Sequence, residues 1–356
     1  MDLKKWVFDV AEGNYDIDLG DSNAPCKNFK QLNYNGDALL DYGVDRGKKS
    51  LRKEVSKLYH CEEDEIIITH GAQEGLFLLY FLQLNHGDEV ISIFPGWPQA
   101  NEAPKKLGAR SIQINNLPNG RLDVKSISDK ITVRTKIIVL NSPNNPTTDE
   151  VNVQDIQELI ELVRGTNIFL VLDDEYLVDL KTSFSNLYLR SASVSSISKI
   201  YGFPGLRVGW VKAEKKVIEK LRELKHLTTI SNSVICEELA LEVLKDKERY
   251  LSEYMMMWRV GNKIILEWVS RHPTFFENCK TSQAPFAWIR ISKNVNAIDF
   301  CQNILDSEAV LLMPSDAFGV RQHIRVTFVR KEKELRTALN KISSLIESYK
   351  MVNRDE

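Results

Sequence analysis

The chain is predicted to be an α/β protein: a large domain built on a mostly parallel sheet, plus a smaller α/β domain. Three observations predict this. Short runs rich in β-branched residues alternate with helical stretches over residues 48–211, the pattern of a parallel sheet covered on both faces. The 356 residues exceed the ~250–300 at which single cores stop growing, so two domains are expected. Beyond Val211 the character changes to long helices followed by a second series of short strands.

Residues 1–45 show little periodicity and are assigned to an N-terminal arm and part of the small domain. Residues 48–59 carry Leu51, Val55 and Leu58 at helical spacing. An apolar strand at 65–69 runs through His70-Gly71-Ala72 into a helix over 73–84. The strand at 89–94 is ended by Pro95-Gly96-Trp97-Pro98, a turn signal. Further strands are expected at 111–114, 136–140, 168–172 and 194–197, with helices near 97–107 and 153–164. Residues 214–226 and about 234–271 read as helical; Met255-Met256-Met257-Trp258 is core or interface packing, and His272-Pro273 stops the helix. The tail is read as strands at 274–277, 286–291, 309–313 and 323–328, with helices near 296–305 and 331–349. The large domain is therefore placed at 46–250 and the small one at 251–356, with the boundary inside a long helix.

Net charge is −2, with 43% hydrophobic and 27% charged residues, which does not favour a nucleic-acid or anionic-membrane partner. The five cysteines, at 26, 61, 236, 279 and 301, form no CxxC pair or metal-ligand spacing, so reduced thiols and no metal are expected. The N-terminus lacks a signal-peptide pattern and no apolar run could span a membrane, so a cytoplasmic protein is expected.

The chemistry concentrates where strands end. Lys199 closes Ser196-Ile-Ser-Lys199, and Gly202, Gly205, Arg207 and Gly209-Trp210 follow. An amine, a hydroxyl and a guanidinium in that spacing suit an aldehyde cofactor bearing a phosphate: the amine forms a Schiff base and the other two hold the phosphate. The strand at 168–172 runs into Asp173-Asp174-Glu175-Tyr176. Acids at the end of a buried strand are costly unless paired, and a pyridinium nitrogen supplies a partner; Asp174 and Glu175 are read as a helix N-cap cluster. Asn141-Ser142-Pro143-Asn144-Asn145-Pro146-Thr147 is a rigid turn after another strand. Gly71-Ala72-Gln73 opens a helix, whose free N–H groups form an anion site.

Together these motifs resemble, in type and in order along nearly the whole chain, the fold-type I pyridoxal-phosphate (PLP) aminotransferases of class I/II, the aspartate, aromatic and histidinol-phosphate aminotransferase superfamily. The resemblance implies a three-layer PLP-transferase large domain, PLP as cofactor, and transamination between an L-amino acid and a 2-oxo acid, with 2-oxoglutarate the expected acceptor. It makes Lys199 the Schiff-base lysine, Asp173 the partner of the ring nitrogen, and Tyr176 and Asn145 the partners of the phenolic oxygen. Ser196, Arg207, Gly71, Ala72 and Gln73 would meet the phosphate, and Trp97 would stack on the ring. Tyr42, in the segment Tyr42-Gly43…Gly47…Leu51-Arg52, would reach the phosphate of a neighbouring subunit, implying a homodimer. Arg325, in the strand 323–328, would grip the substrate α-carboxylate together with Asn145, a task suited to a fork-shaped guanidinium. Arg321 and Arg330 are read as solvated neighbours. Thr148 stands where the family usually has glycine, so a small change in turn geometry is expected.

Substrate identity is less legible. Ser231-Asn232 is preceded by His226-Leu227-Thr228-Thr229-Ile230, with no arginine for a distal carboxylate, and the alternative lysine position falls near Phe81. The stretch 19–25 resembles the histidinol-phosphate branch. A PLP decarboxylase or β-lyase fits the same constellation. A sensor on this fold would carry a DNA-binding domain ahead of it, and a nicotinamide dehydrogenase would show GxGxxG after a strand; neither pattern occurs here.

Overall fold

A computed structural model of the chain describes residues 1–34 and 36–352. They divide into two compact units: residues 26–34, 36–145 and 149–251, and residues 1–25, 146–148 and 252–352. Residues 26–34 and 36–45 thus group with the larger unit, and the division at 251/252 falls inside the helix Lys247–Ser270.

The larger unit is organised by a seven-stranded sheet in the order Ile66–Thr69, Gly209–Ala213, Ser191–Ser196, Phe169–Asp173, Thr135–Asn141, Glu89–Phe94, Arg110–Asn115. All are mutually parallel except Gly209–Ala213, which runs antiparallel to both neighbours. The two-residue alternation of a strand sorts the side chains onto two faces. Ile67, Val90, Val139, Val171, Val194 and Val211 pack against Leu76, Leu79 and Tyr80 of the helix Gly71–Gln83 and Ile218 and Leu221 of Lys215–Lys225. On the opposite face, Ile91, Ile138, Leu140 and Leu170 meet Ile156, Leu159 and Val163 of the helix Val153–Val163. There too Ile66, Ile68 and Trp210 meet Leu51 and Val55 of Lys49–Tyr59 and Val243 and Leu244 of Val234–Lys245. Each such side chain contributes about 1.5–3 kcal/mol on burial. The result is the expected helix–sheet–helix sandwich.

Three elements depart from the expected series. Gly209–Ala213 is a strand hidden within a glycine-rich motif, the helix Val124–Lys130 was unassigned, and the stretch 234–271 is two helices parted at Asp246. The strand Ser191–Ser196 is fully buried although four of its residues are serine. Its polarity is absorbed internally: Ser193 Oγ donates to Asp174 Oδ2 and exchanges a 2.9 Å hydrogen bond with Tyr59.

The smaller unit holds a four-stranded antiparallel sheet in the order Met313–Pro314, His323–Thr327, Phe286–Ile291, Phe276–Lys280. The last strand starts later than the expected 274–277, because Phe275 and Phe276 turn back to bond the carbonyl of His272. The N-terminal residues are integral to this unit: Trp6 is fully buried with Nε1 donating to Leu312 O at 2.9 Å, and Ile17–Asp18 pairs in parallel with Val310–Leu311. No helix among the described residues is long and apolar enough to cross a membrane.

Candidate active site

In an open α/β sheet ligands bind beyond the carboxyl ends of the strands. In the larger unit, the segments following strands that end at Thr69, Phe94, Asn141, Asp173 and Ser196 all line one cavity of about 290 Å³. Of the residues singled out from sequence, Ala72, Gln73, Trp97, Asn145, Asp173, Tyr176, Ser196, Lys199 and Arg207 line it. Gly71 sits directly behind Arg207. Tyr42 is 83% exposed and outside the lining. Arg325 belongs to the smaller unit.

Local backbone geometry accounts for much of this placement. Gly71 has φ +72°, and a Cβ there would lie 2.6 Å from Arg207 Nη2. Glycine alone lets the helix start and the guanidinium converge, so the cup that the helix N-terminus forms depends on it. Gly71→Ala is therefore expected to lower affinity for PLP or inorganic phosphate by at least about 10-fold, since both strain and steric conflict act on one anion site; equilibrium dialysis checks this. Trp97 Nε1 donates to Gln73 Oε1 at 3.1 Å, which fixes the indole beside the helix start. Ser198 N donates to Ser196 Oγ at 3.0 Å, shaping the turn that carries Lys199.

The asparagine turn is tied to the acid strand. Asn141 Nδ2 donates to Asp173 O at 2.8 Å, its Oδ1 accepts from Asn145 N at 2.7 Å, and Asn145 Nδ2 donates to Tyr176 OH at 3.1 Å. An amide and a phenol are thus presented together. Asn141 was not singled out beforehand; its position at the strand end, one residue before the Ser142-Pro143 turn, was the available signal. Thr148 takes φ +63°, so the turn keeps a left-handed conformation although the residue there is β-branched.

The three consecutive acids differ in environment. Burial pushes the Asp173 carboxyl up to about 8, and the charge of Glu175 adds to this, while Lys199 opposes it. Burial raises Asp174 to about 6 against the hydrogen bonds of Ser183, at 2.6 Å, and Ser193. Burial also raises Glu175, opposed by the Lys199 charge, a hydrogen bond from Ser196 and the Arg207 charge. No helix starts at this point, so the reading of Asp174 and Glu175 as N-caps is wrong. Asp174 is a buried acceptor for two serines, and Glu175 faces the cavity.

In the smaller unit Arg325 is 2% exposed. Its Nη2 donates to Gly20 O at 2.6 Å and Asp21 O at 3.1 Å, and its guanidinium carbon lies 5.0 and 5.3 Å from the ring centroids of Phe286 and Phe318. The reading of Arg330 as solvated is also wrong. It is buried because the 18–23 segment wraps it: Nε donates to Asp18 O at 3.0 Å, Nη1 to Asn23 O at 2.9 Å, and Asp21 supplies the counter-charge at 2.5 Å. Arg321 is exposed. In the larger unit Phe81 is 47% exposed, while Asn232 is buried and accepts from Lys225 Nζ.

Comparison with known proteins gives the family and the fold. The family model for aminotransferase class I and II matches residues 5–342. An aspartate aminotransferase of Sulfurisphaera tokodaii is 24% identical, with 86% of this chain and 81% of that protein covered. A capreomycidine synthase of Streptomyces vinaceus is 25% identical, covering 85% and 79%. A solved PLP-dependent aminotransferase from Streptococcus suis superposes with a TM-score of 0.90 at 24% identity, covering 97% of this chain and 96% of that one.

Proposed function

Because the chain belongs to the class I and II aminotransferases, which are PLP-dependent enzymes, we propose that it moves the amino group of an L-amino acid to a 2-oxo acid in a ping-pong cycle. The observation that carries this is the single cavity shared by Lys199, Asp173, Asn145, Tyr176 and Arg207.

The residues present fit PLP in donor chemistry. The amides at the start of the helix Gly71–Gln83, with Ser196 and Arg207, are donors for a phosphate dianion. Asp173, held at about 8 by burial, is a carboxyl in want of a cationic N–H partner, which a pyridinium nitrogen would be. The Asn145 amide and Tyr176 phenol offer hydrogen bonds to a phenolic oxygen, and Trp97 a face for the ring. When bound, PLP supplies an aldehyde for amines and a ring that absorbs carbanion charge.

The chain's own residues would then divide the work. Lys199 Nζ would anchor the cofactor and, once released by the incoming amine, would be the base that takes the Cα proton and hands it on to the carbon that had carried the aldehyde. Asp173 stabilises positive charge at the ring nitrogen, and Tyr176 with Asn145 orients the phenolic side. Arg325 is the candidate for the substrate α-carboxylate; its buried fork is held in advance by two carbonyls and two aromatic rings, which limits the ordering cost of binding. A homodimer is part of the same reading, with the exposed Tyr42 as the residue that crosses to the neighbouring subunit's site.

Aspartate is the first donor to test, since a relative is named an aspartate aminotransferase, although the five residues before Ser231-Asn232 hold no arginine. Mixing PLP-loaded enzyme with each amino acid in the absence of an acceptor is expected to release about one 2-oxo acid per site and then stop, restarting on addition of 2-oxoglutarate. Continuous release of CO₂ would instead mark a decarboxylase, and of pyruvate with ammonia a β-lyase.

A further inference from the structure

The anion cup at the start of the helix Gly71–Gln83 has a carboxylate in its first turn that the reaction does not use. This is Glu74, which does not line the cavity. Its Oε2 accepts from His70 N at 2.6 Å and meets His70 Nδ1 at 3.4 Å, and its Oε1 accepts from Thr229 Oγ1 at 2.8 Å. Burial raises the carboxyl, but the bonds from His70 and Thr229, with the charge of Lys225, bring it down to about 2, so it is an anion at neutral pH.

Thr229 reaches Glu74 because its segment is curled. The N–H groups of Thr228, Thr229 and Ile230 all donate to Lys225 O, at 3.1, 3.1 and 2.9 Å, and Ile230 takes φ +60°. The Lys225 ammonium is buried and engaged: it donates to Ile68 O at 2.7 Å and to Asn232 Oδ1. Ile68 lies on the strand that runs into His70. The cup and the exposed residues 226–230 therefore share one anchor, and the Thr229 hydroxyl adds a second tie.

The first N–H groups of a helix have no partner within it, and a carboxylate in the first turn is attracted to them. A phosphate needs the same groups. We propose that Glu74 is a held-off competitor of the anion in this cup and Thr229 is its latch. The Thr229 hydroxyl and the His70 N–H keep the carboxylate turned away, leaving the amides of Ala72 and Gln73 to the phosphate. Both are positioning residues, acting on the anion through the helix start. Without the latch, Oε1 loses its partner, and the free N–H groups of its own helix turn are what can replace it. The use of the cup for a phosphate rests on the PLP reading; the bonds to Glu74 do not.

The test measures binding of inorganic phosphate to cofactor-free protein by phosphorus NMR titration at fixed pH and ionic strength. Thr229→Val keeps the branched shape and removes the hydroxyl; it is expected to raise Kd at least about threefold, with Thr229→Ser near wild type. Glu74→Gln is expected to lower Kd by about twofold or more, since a negative charge near the anion is gone. Adding Thr229→Val to E74Q is expected to change Kd no further. A loosened segment would weaken binding with or without the carboxylate, so the double variant separates the latch from a merely structural role. Unchanged affinity in T229V, an equal loss when T229V is added to E74Q, or weaker binding in E74Q overturns the proposal. Circular dichroism checks the fold; should T229V fail to fold, the direction of the change in E74Q decides. Wild type that binds no phosphate also overturns it. Borohydride trapping of PLP on wild-type Lys199, run in parallel, reports on the PLP reading separately, since the titrations contain no PLP.

Discussion

Lys199→Ala is expected to reduce amino-group transfer by at least about 10⁴-fold, combining the loss of the covalent anchor with that of the general base. The residue lines the cavity at the end of a turn shaped by Ser196 and Ser198, and among the described residues no other lysine lines it. The fold should be spared, because the side chain is only half-buried and the surrounding core is carried by other residues. Steady-state assay of 2-oxo acid release, with circular dichroism as control, checks both parts. Activity within about tenfold of wild type would place the base elsewhere.

Asp173→Asn is expected to act in opposite directions on stability and activity. In the folded cofactor-free protein burial holds the carboxyl at about 8, against about 4 in an unfolded chain. Between those values the unfolded chain is ionised while the folded one keeps its proton, so stability is full below about pH 4 and falls as pH rises toward about 8. Asparagine removes this dependence. Cofactor-free D173N should therefore unfold later than wild type at pH 8, by at least about 1 kcal/mol, and the two should converge near pH 4. Water reaching the cavity keeps the effect below the full linkage value. Turnover should fall by at least about 10³-fold, since the ring nitrogen loses its anionic partner. Denaturant titrations at several pH values and the half-reaction assay provide the measurements.

The sheet and much of the site could be read from the chain because parallel strands buried on both faces are continuously apolar, so polar residues at their ends stand out. Lys199, Asp173 and Asn145 announced themselves this way, and the cavity gathers them. The strand Gly209–Ala213 escaped because its apolar core, Trp210 and Val211, is embedded in a glycine-rich motif that reads as a turn. Glu175 and Arg330 were misjudged for a shared reason. A charged residue next to a motif is usually solvated or a cap, and only tertiary structure shows a carboxylate facing a cavity or carbonyls of residues 18 and 23 closing round a guanidinium. Substrate choice is harder still, because no local pattern marks side chains that meet only through the fold.

The most direct test of the central claim is covalent. Protein incubated with PLP, reduced with borohydride and digested should carry a phosphopyridoxyl group on the peptide containing Lys199, and the adduct should vanish in Lys199→Ala while the label on surface lysines stays unchanged. Label no more frequent on Lys199 than on exposed lysines, or total label unchanged in K199A, would contradict the assignment of this cavity as the cofactor site.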